Sequence, residues 1–385
     1  MPKNIIFCAD GTWNGPGGGD LSDRATNVFR LFVNLDGEDD IGSTLLANEQ
    51  ERNLMVNGTT AQCAKYLHGV GDSRNVLVRL LGGTVGAGLI ARIVRGYTYV
   101  SRHYQRGDRI FLVGFSRGAY TARALAGMIS AKGLLDPTRY NLDDKKLAYR
   151  LGMSVWYAYR KAALRKDPNL LARLQHVVSD LPPLFIPHDD TKLVEAEIEA
   201  VAVWDTVGAL GIPEFTVKLD RVDSFQFADT RLSDKVHHGL HAVAVDELRA
   251  DFTPTLWDPD GRITQVLFPG AHADVGGGYT GGGNQSGLSD CALTWMTGEL
   301  AKLGVRLSPS PKYKAQPLES GLAHEPWLDP PWNILPARTR AFPVGLCLSR
   351  CLIARYGTAL DPRYEPKNLV DYLVAGQAAA GILVV

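Results

Sequence analysis

The sequence has no excess of charge of either sign. Lys plus Arg and Asp plus Glu both number 41, so the formal net charge is zero. Proteins that bind nucleic acids usually carry a basic excess or a basic stripe. The charge balance therefore argues against nucleic acid as a partner.

Long apolar runs are also absent. No stretch offers the roughly 18 uninterrupted apolar residues that a transmembrane helix needs. The first residues lead directly into a strand-like segment, without the charged region and long apolar region of a secretory signal. We therefore expect a cytoplasmic protein, and secretion by a route that needs no cleavable signal is also compatible with the sequence. Nothing in the sequence indicates an oligomeric state.

Cysteine is scarce. The five cysteines are scattered, odd in number and form no C-x-x-C pair. Cys347 and Cys351 are spaced to share a helical face, but buried thiols are the simpler interpretation. We therefore expect a reducing compartment and no disulfide framework.

The 385 residues, 45% of them hydrophobic, suffice for one large domain with insertions or for two smaller ones. Strand-like and helical segments alternate, which predicts an α/β fold with a mostly parallel central sheet covered by helices on both faces. A helical insertion is expected at about 136–190. Prolines are frequent near the C-terminus, so we expect residues 305–385 to form an irregular cap packed on a domain of residues 1–304. Residues 36–51 are interpreted as a surface excursion, and residues 234–245 are ambiguous between helix and strand.

The strongest local signal is a strand followed by a tight turn and a helix. Ile110–Val113 is strand-like, Gly114-Phe-Ser-Arg-Gly118 follows at once, and Ala119–Ile129 has helix-forming composition. This is the arrangement of a nucleophile elbow, in which the glycines leave room for a strained turn. The pattern predicts Ser116 as a nucleophile. In the alternative interpretation, Ser116 only caps the helix.

A serine nucleophile needs a base within hydrogen-bond reach and an acid that orients the base. Of the nine histidines, His272 is the best candidate for the base, because it follows a predicted strand and lies in a glycine-flanked loop. His237, His238 and His241 compete, but they lie in the ambiguous segment.

Asp205 is the leading candidate for the acid, because it stands where a strand of branched residues ends. The order Ser116, Asp205, His272 is also that of α/β-hydrolases. Asp246 and Asp274 remain competitors, and a structural capping role is a further alternative for Asp205.

Four polar residues share one kind of position. Asp10, Ser116, Asp205 and His272 each lie just past a strand-like run. Ligands of open parallel sheets bind beyond the C-terminal ends of the strands. We therefore expect these four side chains on one edge of the sheet.

Backbone amides are the expected oxyanion donors. The Arg117 amide lies at the predicted helix N-terminus, and the Gly11 or Thr12 amide lies in the loop after the first strand. The alternative for this loop is a tight turn closed by the Asp10 side chain.

Two further roles are open for charged residues. Arg117 and Arg123 could steer an anionic head group, and Asp274 could brace the loop of the base. Asp10 and Asp274 could also be ligands of a divalent cation. Two carboxylates without regular spacing do not predict a metal site, and no cofactor is expected.

Four motifs in this order resemble a known family: Cys8-Ala-Asp-Gly-Thr-Trp-Asn14, Gly114-Phe-Ser-Arg-Gly-Ala-Tyr-Thr-Ala-Arg123, Val203-Trp-Asp-Thr-Val-Gly208 and Pro269-Gly-Ala-His-Ala-Asp-Val-Gly-Gly-Gly-Tyr279. The sequence is similar to the uncharacterised α/β-hydrolase domain family that includes the first family of type VI secretion lipase effectors. The resemblance covers roughly the first three hundred residues. It implies an α/β-hydrolase fold and carboxylic-ester hydrolysis, with phospholipase activity in the secreted effectors. Carried over by motif, the nucleophile, acid and base fall on Ser116, Asp205 and His272.

We therefore expect a serine hydrolase of small-molecule or lipid esters, with transient contact to a membrane surface if the substrate is a lipid. Two other classes stay open. One is a metal-assisted phosphoesterase that uses Asp10 and Asp274, and the other is a non-catalytic binding module on a hydrolase scaffold. Acyl chain length and head group are not specified by the sequence.

Overall fold

The computed structural model describes residues 2–11, 24–44, 49–69, 85–164, 192–207, 230–281, 284–330, 332–334, 336–357, 363–378 and 383–385. Twelve strands lie in this part of the chain: β1 (Asn4–Ala9), β2 (Glu38–Asp39), β3 (Glu49–Val56), β4 (Thr59–Leu67), β5 (Arg109–Phe115), β6 (Leu134–Leu135), β7 (Leu193–Val194), β8 (Ile198–Trp204), β9 (Val236–Ala244), β10 (Ile263–Phe268), β11 (Cys347–Leu348) and β12 (Leu383–Val384).

Ten of these strands form one sheet in the order β2-β3-β4-β1-β5-β8-β9-β10-β11-β12. In this order, all neighbouring strands between β4 and β12 are parallel. At the other edge, β2 pairs antiparallel with β3, and β3 pairs antiparallel with β4. β6 and β7 form a separate antiparallel pair. The predicted α/β class with a mostly parallel sheet is confirmed.

Helices pack on both faces of the sheet. They are α1 (Asn27–Asn34), α2 (Ile41–Thr44), α3 (Val85–His103), α4 (Arg117–Lys132), α5 (Lys145–Leu164), α6 (His272–Gly276), α7 (Gly287–Lys302), α8 (Arg350–Gly357) and α9 (Lys367–Ala378). The alternating side chains of β1 show the two layers. Ile5 and Phe7 pack in a cluster with residues of α3, α4 and α5, whereas Ile6 and Cys8 pack in a second cluster with residues of α1 and α7. A strand that is buried on both faces accounts for the unbroken apolar run of β1.

The register aligns the C-terminal ends of the central strands. Ala9 of β1 pairs with Gly114 of β5, and Phe115 of β5 pairs with Trp204 of β8. Ladder-type bonds continue past these ends, from the Ser116 amide to the Trp204 carbonyl (3.1 Å) and from the Asp205 amide to the Ala242 carbonyl (2.7 Å). Residues that follow β1, β5 and β8 therefore lie at one edge of the sheet.

Several segments differ from the sequence-based predictions. The expected surface excursion at 36–51 contains β2, α2 and the start of β3, and the ambiguous segment 234–245 contains β9. Within the expected insertion, α5 is helical, and residues 165–191 lie outside the described part of the chain. The C-terminal region is largely irregular up to residue 346. It then adds β11 and β12 to the sheet, together with α8 and α9, a contribution that its proline content did not predict.

A disulfide joins Cys291 of α7 to Cys351 of α8, with their Cα atoms 6.3 Å apart. The expectation of five thiols without a disulfide is therefore wrong. The two cysteines are 60 residues apart and belong to no spacing motif, and only the packing of the C-terminal region against α7 brings them together. Cys8, Cys63 and Cys347 are buried thiols.

None of the helices in the described ranges combines the length and the hydrophobicity that are required to span a lipid bilayer.

Candidate active site

Ser116 occupies the turn between β5 and α4. Its φ of 57° and ψ of −123° lie in a region that residues other than glycine rarely adopt. The side chain makes no capping hydrogen bond to α4, which argues against the simple helix-cap interpretation. The residue is 7% exposed. Strand, strained serine and helix have the geometry of a nucleophile elbow.

The two glycines of the elbow are required by close backbone packing. A Cβ atom on Gly114 would lie 2.3 Å from the carbonyl oxygen of Gly118, and a Cβ on Gly118 would lie 2.0 Å from the carbonyl oxygen of Ala9. Both distances are far shorter than real Cβ contacts. Only glycine at these positions lets the start of α4 lie directly against the end of β1.

Asp205 and His272 form a buried pair. The His272 ring nitrogen Nδ1 lies 2.6 Å from Asp205 Oδ2, and the carboxylate also accepts a hydrogen bond from the Ala244 amide at 3.0 Å. When Nδ1 donates its hydrogen to the carboxylate, Nε2 of the neutral ring is left as an acceptor. Asp205 also has a positive φ, of 34°. This arrangement is the one in which an acid fixes the tautomer of a general base.

Two aromatic rings hold the imidazole beside the elbow. The His272 ring centroid lies 4.5 Å from that of Phe115, the residue before Ser116, and 4.9 Å from that of Phe252. The His272 amide donates to Glu247 Oε2 at 3.2 Å. The His272 ring is therefore packed against the end of β5, next to Ser116.

Arg340, which the sequence did not suggest, binds both oxygens of the Asp205 carboxylate. Its Nη1 donates to Asp205 Oδ1 at 2.8 Å and its Nη2 to Oδ2 at 2.9 Å. The same guanidinium donates to the carbonyl oxygens of Ala244 and Phe252. Arg340 lies 135 residues after Asp205 in an irregular segment, so no periodicity or motif could have indicated this contact.

Burial and neighbouring charges shift the pKa values of Asp205 and His272 in opposite directions. Burial would raise the pKa of Asp205, but the charge of Arg340 and the hydrogen bond from His272 hold that pKa well below its usual range. Burial lowers the pKa of His272, and the nearby Asp205 carboxylate opposes the decrease. Near neutral pH, the pair is therefore a carboxylate and a neutral imidazole, as a general base requires.

The loop after β1 is organised by Asp10. Its Oδ1 accepts from the Gly11 amide at 2.7 Å, and its Oδ2 accepts from the Thr26 hydroxyl at 2.7 Å and from the Tyr66 hydroxyl. Burial raises the pKa of Asp10 to about 6, and these hydrogen bonds limit the increase. The Gly11 amide is thus engaged by its neighbour, as in the alternative interpretation of a turn closed by Asp10.

The other two predicted oxyanion donors are the amides of Thr12 and Arg117. Thr12 lies outside the described residues. Arg117 is the first residue of α4. An amide at this position has no acceptor within the helix and points out of its N-terminus.

The competing candidates for the acid bind other groups. Asp246 accepts from the Gly270 amide at 2.6 Å and from the Tyr364 hydroxyl at 2.8 Å. Asp274 lies 2.6 Å from His324 Nδ1 and accepts from the Ala271 amide at 2.9 Å, so it braces the loop of His272 as one interpretation expected.

The remaining predicted residues also have structural partners. Arg123 donates to the Thr255 carbonyl and lies over the Trp257 ring, 4.4 Å from its centroid. Of the competing histidines, His237 contacts an exposed Glu197, and His241 is fully buried and accepts from a backbone amide.

The carboxylates do not form a cluster suited to a metal. Among the described residues, no group of three or more His, Cys, Asp or Glu side chains could hold a metal ion. Asp10 and Asp274 are instead hydrogen-bonded to separate sets of protein donors.

Comparison with known proteins adds a family match. Residues 3–299 match the sequence model described as the catalytic domain of Tle1-like phospholipase effectors of the type VI secretion system. The uncharacterized protein YEL023C of Saccharomyces cerevisiae is 29% identical over 279 residues, which are 69% of this chain and 34% of that protein. The chain thus spans about a third of the length of this relative.

Two solved structures are similar at low sequence identity. An uncharacterized protein from Pseudomonas aeruginosa aligns with a TM-score of 0.41 and 16% identity, over 80% of this chain and 46% of that one. A Tle1 effector bound to the VgrG spike of the type VI secretion system aligns with a TM-score of 0.36 and 16% identity, over 72% of this chain and 51% of that one.

Proposed function

Because the chain belongs to the family of Tle1-like phospholipase effector catalytic domains, we propose that it is a serine hydrolase of lipid acyl esters. In this proposal Ser116 is the nucleophile, His272 the general base and Asp205 the acid. The observation that carries the proposal is the 2.6 Å contact between His272 and Asp205, which lies beside a serine in a strained elbow. A buried aspartate–histidine pair next to such a serine has the residue types and the order of contacts that a Ser-His-Asp triad uses.

The proposed reaction has two steps. Ser116 Oγ attacks the ester carbonyl while His272 Nε2 takes the hydroxyl proton, and the tetrahedral intermediate collapses as the imidazolium returns this proton to the leaving alcohol. Water, activated by the same ring, then hydrolyses the acyl-enzyme and releases the fatty acid. Asp205 holds the ring and stabilises the imidazolium in both steps.

The oxyanion of each tetrahedral intermediate needs backbone donors. We assign the Arg117 amide to this role, because it directly follows the nucleophile and lies at a helix N-terminus. The second donor in the proposal is the Thr12 amide, since the Gly11 amide is bonded to Asp10.

An apolar wall beside the base supports a lipid substrate. Phe252, which packs on His272, also contacts the Trp332 ring at 5.3 Å between centroids. Leu328 and Ile334, on either side of Trp332 in the chain, are 61% and 68% exposed. We propose that acyl chains lie against these side chains, and that a lipid surface is met on this side of the molecule.

Labelling with a fluorophosphonate tests the nucleophile. We expect the label on the peptide that carries Ser116, and its loss in Ser116→Ala but not in Ser310→Ala, a control at an exposed serine. Labelled wild-type protein should lose turnover of acyl esters, and a series of chain lengths would separate esterase from lipase activity. If folded wild-type protein takes up no label at Ser116, the assignment is wrong.

Labelling, combined with a chelator, also distinguishes the two alternative functions, a metal-assisted phosphoesterase and a non-catalytic binding module. A metal-assisted phosphoesterase would lose activity with a chelator and retain it after labelling. A binding module would show no turnover of any ester or phosphoester.

Asp205→Asn tests the acid, with Asp246→Asn as the matched control. Loss of the carboxylate allows the wrong tautomer of the base, so we expect kcat to fall by about 10⁴-fold. Asp246→Asn should retain kcat within about tenfold, because Asp246 contacts Tyr364 and Gly270 and lies outside the proposed triad. The reverse outcome would assign the acid to Asp246.

A further inference from the structure

Arg340 connects the C-terminal region to the acid of the proposed triad. It lies 41 residues beyond the end of the family match at residue 299 (340 minus 299). We infer that Arg340 is a positioning residue, which fixes the carboxylate of Asp205 and offsets its charge, so that the C-terminal region completes the active site. The inference rests on the proposed function, because it assigns a role relative to the triad.

The contact has the geometry of a specific fork. Two parallel N–H groups meet the two carboxylate oxygens at 2.8 and 2.9 Å, and both side chains are almost fully buried. A planar guanidinium that binds both oxygens fixes the plane of the carboxylate, whereas a single ammonium cannot. Asp205 Oδ2 is also the oxygen that contacts His272. The orientation of the imidazole is therefore set through a carboxylate that Arg340 holds.

The same guanidinium fixes a second neighbour of the base. It donates to the carbonyl oxygen of Phe252, whose ring packs edge-on against His272. It also donates to Ala244 at the end of β9, whose amide donates to Asp205. Two of the groups that confine the imidazole, the Asp205 carboxylate and the Phe252 ring, are thus held by one side chain.

Charge balance gives Arg340 a second effect. The other charged groups that face the His272 ring are Glu247 and Arg249, which form their own ion pair at 2.7 Å. With Arg340 present, the charges of Asp205, Glu247, Arg249 and Arg340 around a neutral imidazole sum to zero. Without Arg340 they sum to minus one, and a net negative charge favours protonation of the base.

The remaining titratable neighbour does not change this balance. His241 on β9 faces Asp205, Arg340 and Arg123, and burial lowers its pKa to about 3. It is therefore uncharged over the pH range of an ester hydrolase assay. Arg123 is charged in every variant proposed below.

The experiment compares Arg340→Gln with Arg340→Lys and with Arg338→Gln, a control at an exposed arginine two residues away. In Arg340→Gln we expect kcat to fall by about 10²-fold, as for a displaced catalytic group, with KM changed much less. The acid limb of kcat/KM should move to higher pH by about one unit or more, because a positive charge that disfavours protonation of the imidazole has been removed. Arg340→Lys should restore the acid limb and leave a deficit in kcat, since the charge returns without the fork. Arg338→Gln should match the wild type.

The inference is overturned if Arg340→Gln retains the wild-type acid limb, whatever its kcat, because a structural role alone would not set the pKa of the base. If Arg340→Gln does not fold, Arg340→Lys decides: a wild-type kcat in that variant also overturns the inference. Asp205→Asn is measured in parallel. Full activity of Asp205→Asn contradicts the proposed function itself, whereas an inactive Asp205→Asn beside an unaffected Arg340→Gln contradicts only the role of Arg340.

Discussion

Gly276 is the position at which one added methyl group should disturb the candidate active site most directly. It ends α6, the five-residue helix that begins at His272. A Cβ atom here would lie 1.9 Å from a ring carbon of Phe115, and the next two nearest atoms, at 2.2 Å, belong to the same ring. Ordinary contacts of a Cβ start at 3.4 Å, so the ring or the helix must move by about 1.5 Å (3.4 minus 1.9 Å).

Either movement displaces the proposed base. Phe115 is fully buried and its ring packs on His272, so a shifted ring pushes the imidazole, whereas a shifted α6 carries His272 with it. Overpacking of a core costs about 1–3 kcal/mol. A misplacement of about 1 Å costs on the order of 10²-fold in rate. We therefore expect Gly276→Ala to fold with a lower free energy of unfolding and to lose about 10²-fold in kcat.

The assay measures kcat on an acyl ester beside the unfolding free energy. Gly298→Ala is the matched control, because its Cβ would meet nothing within 4 Å and it lies inside α7. That variant should keep the wild-type kcat and gain up to about 1 kcal/mol, the helix penalty of glycine. A wild-type kcat in Gly276→Ala would contradict this prediction, because the contact between Phe115 and His272 would then not position the proposed base.

Two further predictions concern stability. His241 accepts a hydrogen bond from the Thr206 amide through Nε2. Burial lowers the pKa of His241 to about 3. As the pH falls, the unfolded chain therefore takes up a proton at His241 before the folded chain does. Neutral His241 therefore contributes fully to the free energy of unfolding above the ordinary histidine pKa of about 6.5. Below that pH the free energy of unfolding decreases, by about 2 kcal/mol at pH 5. Urea unfolding at pH 7 and pH 5 should show a loss that is about 2 kcal/mol smaller in His241→Gln than in the wild type, and equal losses would contradict the assignment. Cys351→Ser opens the disulfide to Cys291, which closes a loop of about 60 residues, and should cost up to about 4 kcal/mol. A reductant should lower the unfolding free energy of the wild type and leave Cys351→Ser unchanged, and a wild type indifferent to the reductant would contradict a stabilising disulfide.

The elbow was predictable because its determinants are local. Gly114 and Gly118 are fixed by backbone atoms within the turn and at the end of β1, and an unbroken apolar strand precedes them. The short pattern Gly114–Gly118 is therefore sufficient to predict this turn. The start of α1 is determined in the same local way, because the Thr26 side chain accepts from the Phe29 amide and the helix begins at Asn27.

Features that depend on distant partners were not predictable. β3 reads as polar because it is an antiparallel strand near the edge of the sheet, with half-exposed side chains such as Glu51 and Asn53. Arg340 and Cys351 of the disulfide belong to the C-terminal region, whose position is set by packing against α7 and β10. Neither has a periodic or spacing signal.

The choice between Asp205 and Asp246 shows where strand order stops being informative. Asp205 follows β8 and Asp246 follows β9, and β9 is the strand that pairs with β10, which precedes His272. Adjacency alone would thus favour Asp246. Its environment argues the other way, because burial raises the pKa of Asp246, and a raised pKa makes a carboxylate a less favourable partner for an imidazolium. Asp205 has a guanidinium on both oxygens, which keeps it ionised in an equally buried place. The residue that distinguishes the two acids is therefore Arg340, 135 positions further along the chain.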